Sequence, residues 1–100
     1  MPVKLLIHWD INAGSESEYN DFIVNEFIRR AKRLGLQDLQ FWYTSYGTCE
    51  QILASGMTES EEQMRRIIRS EEWATLETRL RDLVTNYGRK LVRAGGGFQL

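Results

Sequence analysis

The nine residues VKLLIHWDI (Val3–Ile11) decide the fold, because every second one of them is apolar. The apolar set comprises Val3, Leu5, Ile7, Trp9 and Ile11. A period of two predicts a β-strand with one strongly apolar face. The chain's only histidine, His8, is therefore predicted on the opposite face, together with Leu6 and Asp10.

A helix is predicted to follow this strand. Asn12–Gly14 interrupt the alternation, and Ser15 with Glu18 three residues later has the pattern of a capping box, so the helix should begin near Glu16. Its apolar side chains recur at helical spacing, at Tyr19, Ile23, Phe27, Ala31 and Leu34. Gly35 is the expected helix stop.

Two strands are predicted next, as a hairpin. Leu39–Tyr46 (LQFWYTSY) is dense in aromatic and β-branched residues, which favour strands. Gly47 and Thr48 form the expected turn, and Glu50–Ser55 is the expected partner strand. The lone Cys49 is interpreted as a small residue at the start of that strand rather than a nucleophile.

The second half of the chain predicts two helical pieces and a final strand. Thr58 with Glu61 resembles a capping box, and Ser70 before two glutamates predicts another N-cap, so a bend is expected there. The second piece should bury Trp73, Leu76, Leu80, Leu83 and Val84. The segment after Asn86 fits either a continued helix or an extended edge; we choose the strand.

The element order is therefore strand, helix, strand, strand, helix, strand. This order predicts an α+β, ferredoxin-like βαββαβ fold in one domain over 1–100, with an antiparallel four-stranded sheet and both helices on one face. Alternation then directs Gln40, Trp42, Thr44 and Tyr46 to the uncovered face, alongside His8. The glycine run Gly95–Gly97 follows no strand-to-helix pattern and is not a phosphate loop.

Composition excludes several functional classes. The chain has 13 Lys and Arg against 14 Asp and Glu, mixed along the predicted helices, which argues against a nucleic-acid partner. No apolar run is long enough for a signal peptide or membrane span. A single cysteine without secretory features suits a reducing cytoplasm.

The same counts argue against a metal or a cofactor. A transition-metal site needs three or four ligands at a recognisable spacing, and the chain offers one His and one Cys among scattered carboxylates. We therefore expect no metal and no cofactor.

The uncovered face predicts a homodimer. A large aromatic side chain can bury about 150 to 250 Å², so leaving Trp42 and Tyr46 wet would forfeit several kcal/mol at about 25 cal/mol per Å². Net stabilities of small domains are only about 5 to 15 kcal/mol. A second copy laid face to face would bury these rings and leave the polar groups lining a cavity.

The element order, the LQFWYTSYG strand, the SEEW segment at Ser70–Trp73 and the terminal KLVRAGGGFQ resemble the dimeric α/β-barrel superfamily. It includes antibiotic-biosynthesis monooxygenases, haem-degrading monooxygenases, EthD-like proteins and stress-responsive barrel proteins. The resemblance implies two sheets closing into a barrel across a dimer, with substrate or haem held between sheet and helices in active members. Haem-degrading relatives ligate iron with a helical-side histidine, whereas His8 lies mid-strand.

Two function classes remain open. In the first, the barrel binds a small molecule or is structural, and His8 is a hydrogen-bonded interface group. In the second, it is a cofactor-independent monooxygenase-like enzyme acting on a small aromatic or polyketide-like substrate. His8 would then remove a proton, assisted by Asp10 or a tyrosine, since an imidazole exchanges protons near neutral pH. The predicted ligand contacts are Leu6, Trp42, Tyr43 and Tyr46.

Overall fold

The computed structural model describes residues 1–46 and 49–93. The predicted turn at Gly47 and Thr48 and the Gly95–Gly97 run lie outside the described residues. So do the side chains of Tyr46 and Cys49, although both residues belong to described strands.

The chain forms four strands and two helical crossovers. In order, the elements are β1 (Val3–Ile11), α1 (Glu16–Phe22), a π-helical segment (Ile23–Phe27), α2 (Ile28–Leu34), β2 (Gln37–Tyr46), β3 (Cys49–Thr58), α3 (Glu61–Ile68), α4 (Glu71–Arg81) and β4 (Val84–Arg93). The strands form one antiparallel sheet in the order β2-β3-β1-β4. The predicted α+β, ferredoxin-like architecture is confirmed.

The faces of β1 are divided as its period of two predicts. Val3, Leu5, Ile7 and Trp9 are buried, and Trp9 is 0% exposed. Opposite them on β3, Ile52 and Ala54 are also buried, so these strands present a continuous apolar surface to the helices. His8 is exposed on the other face.

The first crossover is one helical run with a π-helical turn in its middle. Tyr19, Ile23, Phe27 and Ala31 are all buried although they are spaced by four, a spacing that drifts by about 40° per step in a regular α-helix. The wider π turn over Ile23–Phe27 compensates for that drift, which keeps the four side chains on the core side. The helical run ends at Gly35, whose φ of 118° is left-handed.

The three predicted N-caps have different outcomes. The helix begins at Glu16 as expected, but Ser15 makes no side-chain cap hydrogen bond. Thr58 is the last residue of β3, and Ser60, which lies closer to the helix, accepts from the Gln63 N–H at 3.1 Å. Ser70 is confirmed as a cap, accepting from the Trp73 N–H at 3.1 Å.

Trp9 lies at the centre of the core. Its ring contacts Tyr19, Phe27 and Phe41 edge-on, with centroids 6.2 to 6.4 Å apart, and is stacked on Tyr87 at 6.5 Å. Its indole Nε1 donates a hydrogen bond of 3.0 Å to the Tyr19 hydroxyl. Such pairs add stabilisation beyond their buried area, and the bond satisfies a donor that would otherwise be buried without a partner.

The final segment is a strand, as chosen above, and it begins earlier than the sequence indicated. Val84, predicted on α4, opens β4 instead. Tyr87 anchors this strand to α4 because its hydroxyl donates to Glu77 at 2.7 Å, and Arg89 donates to the same carboxylate at 3.0 Å. Burial raises the pKa of the Tyr87 phenol, and its bond to Glu77 adds to the effect.

The Trp9–Tyr19 pair predicts a pH-dependent stability. Burial raises the pKa of Tyr19 from 10.0 to about 12. As the pH rises, the phenol therefore loses its proton in the unfolded chain before it does so in the folded protein. The free energy of unfolding should fall between pH 10 and pH 12. Tyr19→Phe should cost about 1 to 3 kcal/mol at pH 7, because Trp9 loses its acceptor. Chemical denaturation should show that deficit shrinking above pH 10; a constant deficit would contradict the assignment.

Candidate functional site

The face of the sheet away from the helices carries a row of residues that crosses all four strands. Strand register places Trp42 of β2 opposite Leu53 of β3, Leu53 opposite His8 of β1, and His8 opposite Gly88 of β4. We call this surface the open face. Its side chains lie on one side because paired residues of neighbouring strands share a face.

His8 leans across the edge strand over Gly88. A Cβ atom placed at position 88 would lie 3.0 Å from Cε1 of His8 and closer still to Nε2. Real Cβ atoms do not approach ring atoms that closely, so the imidazole occupies space that only glycine leaves open. The absence of a side chain at Gly88 therefore leaves room for the His8 ring at this position.

A bulge in the same edge strand holds Asp10. The pairing of β1 with β4 shifts register between His8 and Asp10, and Asn86 adopts a left-handed φ of 54° opposite this shift. Asparagine tolerates that conformation better than most residues. Its side-chain Nδ2 donates to Asp10 Oδ2 at 2.6 Å. Within the described residues no hydrogen bond joins Asp10 to His8, so the two are not a bonded acid–base pair in this conformation.

A hollow of about 370 Å³ opens beside His8 on this face. It is lined by Leu6, His8, Leu53, Arg89 and Lys90. Leu6 and Leu53 provide its apolar floor, and Lys90 lies directly across from Leu6 in the strand register. This combination of apolar surface with a few polar groups is typical of small-ligand sites, although the hollow is open to solvent in one copy of the chain.

The structure brings some of the predicted site residues together and separates others. Leu6, His8 and Asp10 share the open face, and Trp42, 45% exposed, lies two strands away from His8 in the same row. Tyr43 pairs with the buried Ile52 and therefore lies on the helix side, away from His8. The Tyr46 side chain lies outside the described residues.

The space between the sheet and the helices is filled near Trp73. A void there measures about 10 Å³ and is lined by core side chains such as Phe27, Leu36 and Phe41. Such a void is at the lower limit for one water molecule. Trp73 Nε1 is buried without an acceptor among the residues described. A substrate of naphthalene size would have to displace core side chains to bind here.

Five residues of the site are not predicted from the sequence: Leu53, Asn86, Gly88, Arg89 and Lys90. In the sequence, Asn86 and Gly88 interrupt the helical spacing of the preceding segment. Glycine and asparagine within a strand also indicate a bulge or a close approach, and that signal could have identified both.

Residues 1–46 and 49–93 contain no group of three or more His, Cys, Asp or Glu side chains placed to hold a metal ion. Over the same ranges, no helix has both the length and the apolar character needed to cross a membrane.

Structural comparison finds the same fold in several solved proteins, whereas no family model and no curated protein matches the chain by sequence. A variant of SnoaB, a cofactor-independent oxygenase from Streptomyces nogalater, superposes with a TM-score of 0.73 at 15% identity, covering 93% of this chain and 92% of SnoaB. An EthD-family protein from Bacillus halodurans C-125 gives 0.71 at 12% identity, covering 95% of this chain and 100% of its own. The chain shares the ferredoxin-like α+β fold of these proteins.

A NIPSNAP-family protein from Agrobacterium tumefaciens C58 shares this fold too. It superposes with a TM-score of 0.67 at 18% identity, over 97% of this chain and 96% of that protein. The resemblance inferred from sequence is thus confirmed for the fold. Because proteins with different names share it, the fold does not assign an activity.

Gly88→Ala should displace the His8 ring without unfolding the protein. The ring is exposed and can rotate away from the new methyl group, so we expect the free energy of unfolding to change by less than about 1 kcal/mol. As the chain has one histidine, its ring protons give one set of NMR signals, which should lose their nuclear Overhauser contacts to residue 88.

The matched control is Gly88→Ala in a His8→Ala background, where the methyl group meets no ring. The two stability changes should differ, because residues in contact are coupled. Ring contacts to residue 88 that persist in the single variant would contradict this placement of His8.

Proposed function

We propose that the protein is a homodimer that binds a small aromatic molecule between its two open faces. The observation that carries this proposal is the row Trp42–Leu53–His8, in which exposed apolar side chains lead across the sheet to the hollow beside the imidazole. The single domain over 1–100 and the cytoplasmic location remain predictions from the sequence.

The argument for a second copy is energetic. Trp42 is 45% exposed and Leu53 is 41% exposed, and they are direct neighbours on adjacent strands. Fully burying a large apolar side chain contributes about 1.5 to 3 kcal/mol, and less than half of each of these two remains exposed, so each would add about 1 kcal/mol. An isologous dimer buries each residue twice, once in each copy, so the contribution of the row doubles. The fold neighbours belong to a superfamily named for its dimeric barrel.

The argument for a ligand rests on the hollow. Its volume of about 370 Å³ lies at the lower end of ligand-site volumes, which start at about 300 Å³. A second sheet laid over the hollow would remove it from solvent. Leu6 and Leu53 would then contact the faces of a flat ring, and His8 would be within reach of a polar substituent.

A second candidate function is that of a cofactor-independent oxygenase. It is favoured by the position of His8 at the hollow and by the fold shared with SnoaB. In this function His8 accepts a proton from an electron-rich phenolic substrate, the substrate anion supplies the electrons, and molecular oxygen is the oxidant. Asp10, held by Asn86, would stabilise the positive charge on the imidazolium through space.

Leu53→Asp should dissociate the dimer, because the two-fold axis would bring a buried charge from each copy into the same interface. Sedimentation velocity should show a monomer for this variant and for Trp42→Ala at concentrations where the unaltered chain is dimeric. Val24→Asp is the matched control, since Val24 is also apolar and exposed but lies on the helical side. A Leu53→Asp protein that stays dimeric would refute the interface.

His8→Ala should leave the dimer intact and reduce ligand binding. With 1-hydroxy-2-naphthoate as the probe, the rise in melting temperature seen for the unaltered protein should be largely lost, because the hydrogen bond from the imidazole is removed. Thr44→Ala, on the same face but outside the hollow, should retain the full rise. Loss of the dimer in His8→Ala, with binding unaffected, would show that His8 is an interface group only.

A further inference from the structure

The hollow beside His8 has an unbalanced charge. Arg89 and Lys90 are among its lining residues, and no carboxylate of the described residues lines it. The paired residues of β2 and β3 on the open face are uncharged. Asp10 already accepts a hydrogen bond from Asn86, and no ion pair of Lys90 exists within the described ranges. Lys90 therefore has no carboxylate to pair with in the described lining of the hollow.

A two-fold dimer does not by itself remove this imbalance. An isologous interface places a residue of one copy against a different residue of the other, so it brings one Asp10 for each Lys90, and that Asp10 already accepts a hydrogen bond from Asn86. An ammonium group taken out of water without a counter-charge is costly. If the open faces meet as proposed above and the hollow closes with Lys90 inside it, an anion bound from solution compensates that charge.

We propose that the bound molecule is a small aromatic acid whose carboxylate pairs with Lys90. This inference rests on the proposed function and specifies its ligand. Lys90 of β4 is paired with Leu6 of β1, so their side chains lie next to each other on the open face. A carboxylate bound to the lysine therefore places the attached ring over the apolar floor of the hollow. A hydroxyl or enol group next to the carboxylate then reaches His8, which lies two residues from Leu6 on the same face.

Arg89 does not take this role, although it also lines the hollow. Its guanidinium donates to Glu77 of α4 at 3.0 Å, and that carboxylate also accepts from Tyr87. The positive charge of Arg89 is therefore largely compensated by the helix side. Lys90 is the cation of the hollow that is left for an external anion.

The test compares an acid with its uncharged analogue. Binding of 1-hydroxy-2-naphthoate and of its methyl ester is measured by isothermal titration at pH 7.5 to the unaltered dimer and to Lys90→Met, which keeps the apolar stem. We expect the unaltered protein to prefer the acid by about tenfold or more, as for a charge-assisted hydrogen bond, and Lys90→Met to lose that preference. Lys90→Arg should retain it.

Lys4→Met is the matched control, because Lys4 shares the open face but does not line the hollow. Lys4→Met should keep the preference for the acid over the ester. That result would distinguish a direct ion pair with Lys90 from a general attraction of the anion to the lysines of the open face. An ester that binds as tightly as the acid, or a preference that survives in Lys90→Met, would overturn the inference and leave the proposed function standing. If neither probe binds the unaltered dimer, both are overturned.

Discussion

The hydrogen bond from the Trp9 indole to the Tyr19 hydroxyl, inside a cluster of aromatic rings, fixes the orientation of β1. Because side chains alternate along a strand, holding Trp9 inward forces His8 outward, and a slip by one residue would reverse both. The aromatic cluster reaches β2 through Phe41 and β4 through Tyr87, so the same packing also orients both edges of the sheet. The open face is thus a consequence of how the core is packed.

The edge strand β4 determines where the side chains of Asp10 and His8 lie on the open face. Its bulge lets Asn86 hold Asp10, and the absence of a side chain at Gly88 leaves room for the His8 ring. Bulges and glycines weaken a strand, and they occur next to functional sites where they redirect side chains. On the helix side, Tyr87 lies between these two residues and ties β4 to Glu77. The segment 86–88 of β4 is therefore held to α4 through Tyr87.

Much of this could be predicted from the sequence, because the signals were local. The alternation in Val3–Ile11 predicts both faces of β1, and the Ser70 cap predicts the bend between α3 and α4. The cap assigned to Thr58 is wrong because a spacing of three residues does not show where a strand ends or which hydroxyl is nearest the helix. Ser15 takes the N-cap position, but the same spacing does not show that its side chain forms the capping bond. Gly88 could not be placed under His8, since that needs the register of two strands from opposite ends of the chain.

Function depends on the same non-local geometry. The hollow takes its lining from three strands, so its electrostatics depend on the register of the sheet. If a second sheet closes it, a molecule bound between the sheets stabilises the dimer, and by linkage dimerisation strengthens binding. Withdrawal from water would strengthen the attraction between Lys90 and an anion while making an empty cavity more costly. In the proposed dimer, the charge of Lys90 would therefore couple assembly to the presence of a ligand.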